Sequence, residues 1–390
     1  MRKLAVNLLL ALGCIAVLLV VTELVLRARW EPRVRTLGAN VHTRTTTAEY
    51  DVAIDTNREG FRDVDHPLAG PQIAVIGDSF VFGSGVAFEG GVTARTQALL
   101  AGRSKPAEVH NFGVPGTGPH NALRIWRAYA RDLHPHMVIV CLYAGNDAGD
   151  ALRESREHRP RFVTIARAKM LWFVLRARTH GSTTPAAAPV PAGGWDAFGV
   201  DNPATMDALF AAAKSRGVPE DSVRARVAAI PDSLVADARA FRSNPFNLAE
   251  AVLDPDGLRH NLLLDTLEMQ RGWDALESAL RDLHHEVDAA GSKLLLVVIP
   301  AAVQVDRGYW WAKNLGVRLD RRVLDTPEFQ RRLSAFCTAE GIADLDLLPL
   351  MRTHPDRVLY YLQDGHWTGA GHDLAAQAIA ERIAAEDRSR

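Results

Sequence analysis

Cysteine is scarce in this chain. Three occur in 390 residues, Cys14, Cys141 and Cys337, far apart and in apolar surroundings. None has the CxxC spacing of a zinc knuckle, and three separated thiols make no disulfide framework. An excess of one charge is missing too: 45 basic residues meet 46 acidic ones, for a formal net charge of -1. Such a balance leaves no electrostatic footprint for nucleic acid. Internal repeats are absent, which removes solenoids and propellers. Long apolar runs are absent as well, except for one at the N-terminus.

That exception is informative. From Leu4 to Val21 the only strongly polar residue is Asn7, and apolar character resumes after Glu23 through Leu26. At about 1.5 Å per residue, such a helix crosses a bilayer core of roughly 30 Å. A cleaved signal peptide has a shorter apolar region followed by small residues, and "VVTELVLRARW" offers no such site. A lipidated Cys14 fits poorly, because a strongly apolar run follows it. Residues 4–26 are therefore expected to form an uncleaved transmembrane anchor, with 27–68 a polar, irregular juxtamembrane segment. Arg2 and Lys3 precede the run while Arg27, Arg29, Arg33 and Arg35 follow it, so charge leaves the orientation open.

Beyond residue 68, short apolar runs alternate with helical patterns. Pro71–Gly77, Glu108–Gly113, Met137–Tyr143, Lys293–Pro300 and Ile342–Leu347 read as strands. Val92–Leu100, Asn121–Leu133, Trp273–Ala290, Pro327–Glu340 and Gly371–Ala385 read as helices. Continuously apolar strands separated by helices predict an α/β protein with a parallel sheet covered on both faces. Residues 69–150 and 273–390 make up this domain. Residues 151–272 interrupt it as a helical insertion with a Pro/Ala/Gly linker, expected to be disordered, at 181–194. The segment 153–178 carries Arg153, Arg156, Arg159, Arg161, Arg167, Lys169, Arg176 and Arg178. It reads either as a solvated face over the sheet or as a contact with anionic lipid.

The chemistry-bearing residues follow the strands. "IGDSF" puts Ser79 after the first, "NFGVPGTG" puts glycines after the second, and "LYAGND" puts Asn146 after the third. In open α/β sheets ligands bind outside the carboxyl ends of the strands. A hydroxyl, a backbone N–H and a side-chain amide thus point to one crevice, which is the set acyl transfer needs. Near the C-terminus, "DGHW" supplies His366 as a base for Ser79 and Asp364 as the carboxylate that holds its ring. His372 and Asp373 begin the last helix and, with no third ligand near, make a poor metal site. His134, His136, His284 and His285 read as surface or strand-edge residues. "GYWW" brings Trp310 and Trp311, which with Trp367 read either as core or as a sugar-stacking or acyl-binding wall.

These four blocks resemble those of the SGNH (GDSL-like) hydrolases: "GDSF" at Ser79, "NFGVPGTG" with Gly116, "GND" with Asn146, and "DGH" at Asp364–His366. The resemblance covers about 69–150 and 290–388. It implies a flavodoxin-like three-layer α/β/α sandwich and neither metal nor other cofactor. It implies Ser79 as nucleophile, His366 as base, and an oxyanion hole made by Ser79, Gly116 and Asn146. Most members place two residues between acid and base, whereas here Gly365 alone intervenes. The Asp-x-His-Trp block looks like that of polysaccharide O-acetylation proteins, in which it usually precedes the serine.

The resemblance implies a membrane-anchored serine esterase or deacetylase acting on O-acyl groups of envelope glycans or lipids. The same residues serve an O-acetyltransferase in which a glycan hydroxyl replaces water. A third reading is a catalytically silent glycan-binding or assembly protein on the same scaffold. The expected location is the inner (cytoplasmic) membrane, single-pass, with the catalytic part on the outer side.

Overall fold

The computed structural model describes residues 2–28, 34–102, 106–156, 201–305 and 309–388. It separates into two compact units, one comprising Met1–Arg33 with Arg156–Ala188, the other Val34–Ser155 with Pro189–Arg390. In the first unit, α1 (Arg2–Ala28) is a single 27-residue helix. Its described side chains include nine exposed large apolar residues, among them Leu10, Leu18, Val20 and Leu24. The run expected to be an anchor is thus helical, but among the described residues no helix is long and apolar enough to cross a membrane. Most of the basic segment 153–178, and all of 181–194, lie outside the described residues.

The second unit opens with an antiparallel hairpin, β1 (His42–Thr46) and β2 (Asp51–Asp55), where an irregular segment was expected. Both strands alternate exposed and buried positions. The inward residues of β1 are Thr43 and Thr45, so a hydroxyl face concealed the alternation that hydrophobicity reveals elsewhere.

A five-stranded parallel sheet follows, built from β3 (Gln72–Gly77), β4 (Glu108–Gly113), β5 (Met137–Tyr143), β6 (Lys293–Ile299) and β7 (Ala343–Asp346). Its order is β4-β3-β5-β6-β7, the flavodoxin-like arrangement with a switch point at β3. Between the strands the chain forms α2 (Ser79–Phe82), α3 (Val92–Leu100), α4 (Pro119–Ala128) and α5 (Asp147–Ser155). The insertion supplies α6 (Met206–Arg216), α7 (Glu220–Ala228), α8 (Asp232–Arg239), α9 (Pro245–Leu253) and α10 (Gly257–Leu263). Then come α11 (Leu267–Ala289), α12 (Tyr309–Asn314), α13 (Arg322–Asp325), α14 (Glu328–Glu340), α15 (Leu348–Arg352) and α16 (Gly369–Arg388).

Period-two alternation divides the strand side chains between two cores. Ala74, Ile76, Val138, Val140, Leu294 and Leu296 face one side, against Trp126, Ala148, Trp273, Leu280 and Leu333 from α4, α5, α11 and α14. Ile73, Val75, Ile139, Cys141, Leu295 and Val297 face the other, against Val92, Leu100, Leu374, Ile379 and Ile383 from α3 and α16. The result is the expected three-layer α/β/α sandwich. Helices α6 to α9 bury a third cluster of their own, including Leu209, Val223, Leu248 and Val252.

Trp367 belongs to the second core and is 1% exposed. It packs edge-on against Phe80 and His372. It therefore serves packing and does not line a substrate wall. Replacing it should destabilise the fold: Trp367→Ala is expected to lower unfolding free energy by about 3–5 kcal/mol. Chemical denaturation of Trp367→Ala beside wild type measures this, and an unchanged midpoint would show that the ring bears no core load.

Candidate active site

Strand order brings the predicted elements together. Strand β3, which lies between β4 and β5, ends at Gly77, and the chain turns at once into α2, which starts with Ser79. Asp78 caps that helix through its carboxylate, which accepts the Phe80 N–H at 2.9 Å. The turn lies tight against β4, because a side chain at Gly113 would collide with the backbone at Val81 and Phe82. On either side of β3, the loop after β4 carries Gly116 and the turn after β5 carries Asn146. Gly116 adopts φ 69, and its carbonyl accepts from Arg153 at 2.9 Å. Arg153 also pairs with Asp150, so the first cation of the basic segment holds the loop after β4. Asp147 closes the turn before α5 by accepting the Tyr143 N–H at 2.8 Å, and Asn146 follows from that turn with its Oδ1 buried.

The base arrives from the far end of the chain. Ser79 Oγ lies 2.7 Å from His366 Nε2, close enough for the hydroxyl to donate to the ring. On the other side of the ring, Nδ1 lies 3.1 Å from Asp364 Oδ1, though not in line for a straight hydrogen bond. The single intervening residue, Gly365, has φ 80, a left-handed conformation that favours glycine. Its N–H donates to the Tyr361 carbonyl at 3.1 Å, and the Tyr361 N–H donates to the His366 carbonyl at 2.9 Å. This tight loop lets a one-residue spacing serve where two are usual.

Asp364 is the most constrained group. It is 4% exposed, and its carboxylate accepts the Tyr50 hydroxyl at 2.8 Å and the Asn244 amide at 2.7 Å. Glu49 accepts the N–H groups of Leu362, Gln363 and Asp364, and the Asn247 amide donates to the carbonyls of Gln363 and Asp364. Burial pushes the Asp364 carboxyl up, but His366, Asn244 and Tyr50 together hold it below the usual carboxylate range. For His366, burial works against the charged form, yet Asp364 chiefly and Asp78 keep the imidazole above its ordinary value. Phe80, where leucine is common in the block, lies against both rings, 5.1 Å from His366 and 4.7 Å from Tyr143.

A buried acidic layer lies below. Burial pushes Asp78 and Asp150 up to about 6. Asp147 is raised well above the usual range, by burial and then by Asp78 and Asp150. His372, buried in the first turn of α16, is driven down to about 3 by burial and stays neutral.

Next to Asn244 and Gln363 a small, half-open cleft is lined by Leu234, Ala238, Ser243, Asn244, Leu248, Trp311, Leu315 and Gln363. Trp311 Nε1 and Gln363 Oε1 are buried and have no hydrogen-bond partner among the described residues. Trp311 thus sits beside the loop that carries Asp364, whereas the Trp310 side chain lies outside the described residues. Tyr50, Asn244, Asn247 and Glu49 were not anticipated. Asn244 alone carried a local signal, as an Asn before Pro245 at a helix start, and it caps α9 by accepting the Phe246 N–H.

Residues 261–389 match the family model described as the SGNH hydrolase-like domain of the acetyltransferase AlgX. No curated protein matches the chain. Solved structures overlap it weakly. A G-D-S-L family protein from Desulfitobacterium hafniense DCB-2 is 13% identical, covering 80% of this chain and 98% of its own, with a TM-score of 0.37. The lipase/acylhydrolase from Enterococcus faecalis is 12% identical, covering 80% and 95%, with a TM-score of 0.37. A catalytic mutant of Axe2, an acetylxylan esterase from Geobacillus stearothermophilus, is 13% identical, covering 80% and 94%, with a TM-score of 0.38.

Two outcomes follow for the acid. A base must be neutral to accept a proton, so ester turnover should fall as pH drops through a value above the ordinary imidazole value of about 6.5. Asp364→Asn should move that acid limb to lower pH and cut kcat by about 10²–10⁴-fold. An unmoved limb would detach Asp364 from His366. Tyr50→Phe and Asn244→Ala should each lower kcat by about 10-fold, the worth of one hydrogen bond to a charged group. Full activity in both variants would leave the carboxylate without need of them.

Proposed function

We propose that the protein is a serine-dependent enzyme of O-acyl esters, hydrolysing acyl groups carried by glycans or lipids. The observation that carries this reading is the 2.7 Å contact of Ser79 Oγ with His366 Nε2, with Asp364 behind the ring. In the first step Ser79 Oγ attacks the ester carbonyl as His366 Nε2 takes its proton. The carbonyl oxygen becomes an oxyanion, stabilised in this reading by the N–H groups of Ser79 and Gly116 and the Asn146 amide. Asp364 stabilises the imidazolium. Collapse breaks the ester bond, and the leaving alkoxide takes the proton from His366. Water then attacks the acyl-Ser79 with His366 again as base, releasing the acid and the free serine.

A second reading has a glycan hydroxyl in place of that water, giving acetyl transfer. The match of residues 261–389 to the AlgX domain favours it, since that span contains Asp364, His366 and Trp311. The cleft with Trp311 offers an indole, a surface suited to a sugar ring. Attachment to a membrane through residues 4–26, with the enzyme outside the inner membrane, rests on the apolar run and the exposed apolar side chains of α1. Extraction of the full chain tests that part: release from membranes by alkaline carbonate would argue against insertion.

Ser79→Ala should abolish labelling by a fluorophosphonate and lower p-nitrophenyl acetate hydrolysis at least about a thousandfold. Labelling that survives in Ser79→Ala would remove Ser79 from the chemistry. Asn146→Ala should lower kcat by about 10²–10³-fold, and an unchanged kcat would reject its place at the oxyanion. Incubation with an acetyl donor and a glycan acceptor separates the two readings, through acetate released against acetyl transferred.

A further inference from the structure

A second cluster stands apart from the serine. Asp63 and His66 lie on the segment between β2 and β3, and His110 lies on β4. One donor atom from each of the three lies within 4.8 Å of the others. His66 Nε2 is 3.1 and 3.2 Å from the two Asp63 oxygens. A carboxylate only accepts, so His66 Nε2 donates its proton here, and an ion would take that proton's place. Ligand atoms around a tetrahedral zinc, with bonds of about 2.1 Å, stand roughly 3.4 Å apart, close to the spacing of this pair. The two imidazole rings lie with centroids 4.1 Å apart. The Asp63 and His66 side chains are each 5% exposed, and His110 is buried.

Their outer contacts hold them in that arrangement. Gln72 Nε2 donates to the Gly70 carbonyl at 2.7 Å, which turns Gln72 Oε1 toward His110 Nε2, 2.6 Å away. An amide oxygen only accepts, so Nε2 carries the ring proton and Nδ1 keeps its lone pair. The Asp63 carboxylate accepts the N–H groups of Val64 and Asn111, both at 2.9 Å. Ring N–H groups tied to an acceptor, and carboxylates tied to backbone donors, are the outer contacts that orient metal ligands. A simple Asp63–His66 ion pair would need neither the second ring nor Gln72.

We propose that Asp63, His66 and His110 bind a divalent transition-metal ion of the zinc type, with water completing the shell. Two imidazoles and one carboxylate suit zinc over magnesium or calcium. The ion would staple the segment around residue 63 to β4, an edge strand whose Asn111 N–H is already covered by Asp63. The site is independent of the serine chemistry. His110 is in register with Ala74, on the strand before Ser79.

The test uses the tag-free full chain. Zinc titrated into metal-stripped protein should bind at one equivalent and raise the thermal midpoint. Cobalt(II) in its place should give the visible bands of a tetrahedral site. His66→Ala and His110→Ala should lose at least about a hundredfold in zinc affinity. Gln72→Ala, which leaves the Asp63–His66 pair whole, should lose about 10–100-fold. Fluorophosphonate labelling should persist in all three. No saturable zinc binding and no cobalt bands in folded wild type would overturn the proposal, as would wild-type affinity in both histidine variants. If a histidine variant does not fold, the wild-type cobalt spectrum and Gln72→Ala decide.

Discussion

The proposed chemistry depends on keeping one buried carboxylate, Asp364, ionised. Taking Asp364 out of water costs several kcal/mol unless hydrogen bonds and a counter-charge replace hydration. The Tyr50 hydroxyl, the Asn244 amide and the His366 ring replace it. Without them the group would take up a proton and cease to stabilise an imidazolium. His366 would then lose both its raised basicity and its orientation toward Ser79. The positive-φ turn at Gly365 is held by Glu49 and Asn247 on the surrounding backbone.

That requirement ties distant parts of the chain together. Tyr50 comes from the turn of the β1–β2 hairpin, Asn244 from the insertion, His366 from the loop before α16, and Ser79 from the switch point of the sheet. Asn244 serves twice, its oxygen capping α9 and its nitrogen holding Asp364. The insertion is therefore coupled to the Asp364 carboxylate through Asn244. The cleft next to Asn244 has one wall from the insertion and another from Trp311 of α12.

The sheet was readable because its strands are buried on both faces and appear as unbroken apolar runs. Strand ends could be found from their glycines, and with them Ser79, Gly116 and Asn146. The "DGHW" block pointed to His366 and Asp364, since only Gly365 separates them in the chain. The supports of Asp364 could not be found this way. Tyr50 and Asn244 stand 314 and 120 residues from it, and no local pattern marks a tyrosine or asparagine for such a partner. The hairpin escaped notice because its inward face is partly threonine. Trp367 illustrates a different limit: a tryptophan next to His366 reads equally as sugar platform or core, and only burial decides.

The central claim is that Ser79 becomes acylated, and that the Asp364 network makes it do so. Rapid quenching of the full chain with an activated acetyl ester, followed by peptide mass spectrometry, measures this directly. One acetyl group on the peptide containing Ser79, formed before steady-state turnover and lost on standing, is the predicted result. Turnover of the ester with no acetyl on Ser79, or with the acetyl on another residue, would contradict the account.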